Sequence, residues 1–170
     1  MRTIKYFAAA LIVSIAFTLS AYSQTTLSTV DGSSIDLDSQ RGKVVILAVG
    51  ARWLPLSAKQ AEFANILARR YGGKDVLVYF VSTDSVTAKS RNFASDDDVR
   101  RFATDSKLNV TVLRDPDGAV VMKKYNLDQI PAFVVIDKSG NQAGEAFAGI
   151  DPKTDITLVI SKAVDKLLIP

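Results

Sequence analysis

The chain has 170 residues, 21 basic and 18 acidic side chains for a formal charge of +3, 48% hydrophobic residues, and neither cysteine nor histidine. That size and balance suit one globular domain, while the two zeros exclude thiolate chemistry, disulfides and any catalytic triad built on cysteine or histidine. They also remove the usual ligands of zinc and copper, so no metal and no cofactor is expected, and without a basic stripe interleaved with aromatics neither is nucleic acid.

In chain order, Arg2 and Lys5 precede an uncharged apolar stretch from Tyr6 to Leu19, and small residues follow in Ser-Ala-Tyr-Ser-Gln. A charged start, an apolar run and a small-residue cleavage site make a secretory signal. Residues 1–23 are therefore expected to be cut off after Ser23, leaving residues 24–170 as one exported domain, periplasmic or secreted. The run falls short of the ~20 apolar residues that a spanning helix needs, so contact with a membrane is expected only if the segment stays uncleaved. Without Arg2 and Lys5 the domain carries 19 basic against 18 acidic residues, a charge of +1. Its roughly 147 residues suffice to bury about 68–70% of the unfolded chain's surface without disulfides.

The stretch Thr25 to Gly42 reads as a small hairpin turning at Asp31-Gly32. Lys43 to Val49 is a continuous aliphatic run, which predicts a strand covered on both faces. Pro55 suits the first turn of a helix. Phe63, Ile66, Leu67 and Tyr71 then recur at helical spacing until Gly72-Gly73. Val76 to Val81 predicts a second buried strand and Ser82 to Asp98 begins as a polar loop, with Ser95 and three aspartates opening a helix that runs on through Val99 to Lys107. Three consecutive aspartates on a helix do not converge on a metal.

Asn109 to Asp115 predicts another strand, Asp115 to Gly118 a turn lacking the full calcium-loop pattern, and Ala119 to Tyr125 a short helix. From Pro131 to Gly149 the pattern is strand, turn at Ser139-Gly140, and strand. Pro152 leads into a final helix whose apolar positions are Ile156, Val159, Ile160, Ala163, Val164 and Leu167. Parallel crossovers followed by a terminal hairpin and covering helix predict a single α/β sheet sandwich.

This order, with Trp53-x-Pro55 at the first strand-to-helix junction and Ile130-Pro131 before a late strand, resembles the thioredoxin-like fold. It is a three-layer α/β sandwich with a central mixed sheet, helices on its faces and here an N-terminal β-hairpin. The closer likeness is to exported thiol-disulfide oxidoreductases of the TlpA/ResA type, related to the redoxin and AhpC/TSA group. It is carried by residues 30–60 and by residues 113–149, within a span of about 27 to 167. The resemblance places Leu54 at the nucleophilic cysteine, Ser57 at the resolving one and Gln60 at the acidic residue that assists proton transfer. Each replacement removes a reactive group, so disulfide exchange and thiol-peroxidase activity are excluded. The resemblance also implies a cis Pro131 and a polypeptide groove formed by Trp53, Pro55, Leu56, Ile130 and Pro131.

The expected function is non-covalent binding of an extended polypeptide or a dedicated envelope protein. One alternative is an enzyme of another type using Ser57, Lys59 or carboxylates in the same groove, although a hydroxyl needs an adjacent general base and Lys59 lies off the Ser57 face. Another is a structural subunit of an assembly. For Ser57 the plain reading is capping or packing in the first helical turn, and for Leu54 and Leu56 it is core, edge or an apolar contact patch.

Overall fold

The computed structural model describes residues 25–169; the expected export signal lies outside them. The strands are β1 (Thr26–Thr29), β2 (Ser34–Asp36), β3 (Val44–Gly50), β4 (Val76–Ser82), β5 (Thr111–Arg114), β6 (Ala132–Ile136) and β7 (Phe147–Ala148). The helices are α1 (Ser57–Arg70), α2 (Asp96–Asp105), α3 (Val121–Lys124) and α4 (Ile156–Leu168), with short 3-10 turns at Leu37–Gln40 and Pro116–Gly118. Among the described residues no helix is long and apolar enough to cross a membrane.

All seven strands form one mixed sheet in the order β2-β1-β5-β4-β3-β6-β7. β3, β4 and β5 run parallel, and β6 returns antiparallel beside β3. The expected α/β sandwich with its N-terminal hairpin is the observed architecture. Because successive strand residues point to opposite faces, the aliphatic run of β3 serves two cores. Val44, Ile46 and Ala48 join Phe63, Leu67, Val99, Ile160 and Val164 of α1, α2 and α4 on one face. Val45, Leu47 and Val49 pack with Leu27, Leu37, Val121 and Tyr125 on the other. The second face is covered by the Leu37–Gln40 turn and a four-residue helix, so that outer layer is thin.

Three expectations change. Pro55 lies two residues ahead of α1 rather than in its first turn, because the chain makes a tight turn through residues 52–56 before the helix begins. The last strand is only Phe147–Ala148, though Gln142 already bridges Ile136. Gly144, at φ 79°, breaks the ladder between them. On α4, Val159 is exposed, while Thr157 and Ser161 are buried with Ile160 and Val164. These small side chains let α4 approach α1, where the Tyr71 hydroxyl donates to the Ser161 carbonyl at 3.2 Å and to Asp165 at 2.9 Å.

The strand register fixes where loops gather. Gly50 pairs with Ser82, Ser82 with Arg114, and Val49 with Ala132. Ala51, Thr83, Asp115 and Pro131 therefore leave or enter the sheet side by side at one end.

Candidate functional site

At that end the β3–α1 turn is closed by its own backbone. The Leu54 N–H donates to the Ala51 carbonyl and the Ser57 N–H to the Leu54 carbonyl, both at 3.1 Å. The Ser57 hydroxyl also donates to the Ala51 carbonyl, and the residue is 1% exposed. Leu56, not Ser57, occupies the N-cap position, and it makes no side-chain cap bond. Ser57 is thus a buried tie that holds the turn shut. The Lys59 ammonium pairs with Glu62 at 2.8 Å and lies over the Phe63 ring, so it is engaged along the helix.

Gln60 is fully buried. Its Nε2 donates to the carbonyl of Val49 at 3.1 Å and to that of Ala132 at 2.9 Å, stitching β3 to β6 from α1. The amide fits so closely that a Cβ on Gly50 would stand 2.2 Å from Gln60 Oε1, which is why the strand ends in glycine. A carboxylate in this place would face two carbonyl oxygens with nothing to donate.

Above this sealed layer the surface is apolar. Trp53 is 49% exposed, Pro55 is exposed, and Leu54 and Leu56 are half-buried. Ile130 and Pro131 are half-buried and joined by a cis peptide bond. The residues expected to form one groove divide: Leu56 packs against the α1 face of the sheet, and Ile130 against the opposite face. The register brings Trp53 and Pro131 to the same end of the sheet, without a wall of Leu56 against Ile130. A pocket of about 630 Å³ lies beside this region, lined by Tyr125, Leu127, Gln129, Gln142, Glu145 and Ala148. Burial pushes the Tyr125 hydroxyl up to about 12, so it stays protonated there.

Sequence reasoning missed the charges beneath the turn. It read residues 82–98 as a polar loop, yet Asp84 is fully buried, accepting from the Arg52 N–H at 2.9 Å and the Ser82 hydroxyl at 2.8 Å. The Arg52 guanidinium lies 3.9 Å from Asp84 and donates to the Phe93 carbonyl at 3.0 Å. Buried Arg114 donates to the Ser82 hydroxyl at 2.9 Å and to the Ala94 carbonyl at 2.8 Å, and its Nε stands 3.1 Å from Asp96. Asp115, also buried, accepts from the N–H groups of Val120 and Val121 at 2.9 and 2.7 Å; desolvation nevertheless raises its pKa. The available signal was position: Arg52, Asp84, Arg114 and Asp115 each end a strand or follow its last residue within two positions. Their geometry suits holding loops in place, since every one is engaged with a neighbour. Among the described residues no group of three potential ligands is placed to hold a metal ion.

The AhpC/TSA family model matches residues 17–141. Among solved structures, a protein described as a thiol:disulfide interchange protein DsbE from Chlorobium tepidum is 21% identical, with a TM-score of 0.71 over 86% of this chain and 94% of that one. A secreted Mycobacterium tuberculosis disulfide oxidoreductase homologous to Escherichia coli DsbE is 24% identical, with a TM-score of 0.62 over 85% and 96%. The exposed lipoprotein thioredoxin of Streptococcus pneumoniae is 23% identical, with a TM-score of 0.65 over 85% and 99%. These likenesses establish the thioredoxin-like fold. A comparison with the curated proteins gives no match.

Proposed function

The chain belongs to the AhpC/TSA family, and from that premise we propose that it is an exported, redox-inactive member that holds polypeptide non-covalently at the strand-end junction. The observation that carries this reading is the split across the β3–α1 turn. Leucine and a hydrogen-bonded, buried serine stand where the resemblance puts two thiols, while Trp53 in the same turn stays half in solvent. A large aromatic left exposed beside the start of β6 offers contact area, and main-chain groups of an extended segment supply affinity without sequence demands. Export is supported by the charged and apolar pattern of residues 1–23 and by the secreted and surface-exposed proteins among the structural neighbours.

Trp53 is the only tryptophan, so its emission reports on this spot alone. Titration with unfolded, tryptophan-free apolar peptides should shift that emission with weak, saturable affinity, and Leu54→Asp should weaken the response severalfold while the fold persists. An emission unmoved across a diverse peptide panel overturns the reading. Nothing in the geometry favours the enzymatic alternative: the Ser57 proton is committed to Ala51 and Lys59 to Glu62.

A further inference from the structure

The β4–α2 loop, residues 83–95, stands next to the Trp53 turn because Gly50 and Ser82 are register partners. Its base is fixed to β3 by the Thr83 N–H on the Gly50 carbonyl at 2.8 Å. Its stem is pinched by the Ser85 N–H on the Asn92 carbonyl and the Ala94 N–H on the Ser85 carbonyl, both at 2.9 Å. The Arg52 guanidinium then ties the stem to the turn through the Phe93 carbonyl. Residues 86–91 project beyond this stem. They present Val86, which at 56% is more exposed than Trp53, together with the exposed cations Lys89 and Arg91.

Neither cation has an ion-pair partner among the described residues, and the acids nearby are taken. Asp84 is buried under Arg52 and Asp117 accepts from Ser85, while Asp96, Asp97 and Asp98 pair with Arg114, Arg100 and Arg101. An exposed aliphatic beside unmatched positive charge is unlike the Trp53 turn, where Arg52 is matched.

We propose that this loop is the second wall of the polypeptide site and selects segments in which an apolar residue is followed or preceded by an acidic one. The proposal rests on the polypeptide-binding reading of the junction. Neighbouring strands lie about 4.8 Å apart and an extended chain advances about 3.3 Å per residue. Adding the reach of Lys89 and Arg91, an apolar side chain seated on Trp53 places an acidic group about two to four residues away against the loop.

The test uses short unfolded peptides that lack tryptophan and differ only in an acidic, neutral or basic residue, placed two to four positions from a single phenylalanine. With Trp53 emission as the readout, the acidic peptide should bind about fivefold tighter than the neutral one at low salt, the scale of two exposed charge contacts. Added salt should erase that margin. The double variant Lys89→Glu, Arg91→Glu changes only exposed loop positions and should invert the order, favouring the basic peptide. Equal affinity for acidic and neutral peptides, or an order unchanged by the charge reversal, overturns the charge selection while leaving the junction reading intact. No response to any of the peptides overturns both.

Discussion

The lower and upper halves of the β3–α1 junction are built in opposite ways. Below, Ser57, Gln60 and Asp84 are buried and bonded to Ala51, to Val49 and Ala132, and to Arg52 and Ser82. Above, Trp53 and Pro55 are exposed, and Trp53 has no hydrogen bond or ring contact among the described residues. Buried hydrogen bonds make the lower layer a structural plug. The layer that would meet a partner keeps a large aromatic in solvent, although an exposed tryptophan adds nothing to the core. The two halves are therefore under different physical demands: buried polar groups tied by hydrogen bonds below, with Gln60 Oε1 and Asp84 Oδ1 left without a hydrogen-bond partner, and open contact area above.

The largest effect should come from putting an acid back into the lower half. Gln60→Glu would bury a carboxylate facing the Val49 and Ala132 carbonyls, with no donor to meet it. Desolvation would raise its pKa above the unfolded value, which for glutamate is about 4.3. The native state then binds a proton that the unfolded chain releases, so stability falls as pH rises from about 4.3 up to the raised folded value and stays low above it. Urea titrations should show a loss of about 3 kcal/mol at pH 8 and much less at pH 4. Equal stability at both pH values would mean that the amide is not the stitch described.

A smaller perturbation spans both halves. The bond from the Ser57 N–H to the Leu54 carbonyl makes residues 54–57 a β-turn, whose end Cα atoms lie within about 7 Å. That separation admits a disulfide. Leu54→Cys with Ser57→Cys should form an intramolecular disulfide in air, measurable by thiol counting, while loss of the Ser57–Ala51 bond costs about 1 kcal/mol. A folded double variant that stays reduced would show that the two positions diverge.

The smallest change in stability is expected in the upper half. Trp53→Ala should alter the unfolding free energy by only about 0.5 kcal/mol, as for other surface positions, yet remove peptide binding measured by calorimetry. A loss of several kcal/mol would make Trp53 a structural residue and erase the contrast between the halves.

Much of this was legible in the sequence. The order of elements, the hairpin at Asp31-Gly32 and the strand from Val44 follow from local patterns. So does the α2 start, where Ser95 and Asp98 cap each other's backbone N–H groups in the structure. Patterns fail where tertiary contacts decide. Val159 fits the apolar stripe of α4 but is exposed, while Thr157 and Ser161 are buried with Ile160 and Val164 where α4 packs on α1, β3 and β6. Asp84 looks like loop polarity, since its partners Arg52 and Ser82 come together only through the sheet register. At the site, the resemblance gave Leu54, Ser57 and Gln60 only as expected replacements of reactive groups, and the residue identities predicted no geometry. The sequence could not tell that Leu56 and Ile130 pack on opposite faces of the sheet, because strand pairing determines that separation.

The most direct test of the contrast is a map of backbone amide chemical shifts in the isotope-labelled domain as an apolar, unfolded peptide is added. Changes should concentrate at the non-proline amides of residues 51–56, 86–91 and 130–132, with the amides that follow buried Gln60 into α1 unmoved. Changes confined to the pocket around Tyr125, Gln129 and Glu145, or none at saturating peptide, would contradict it.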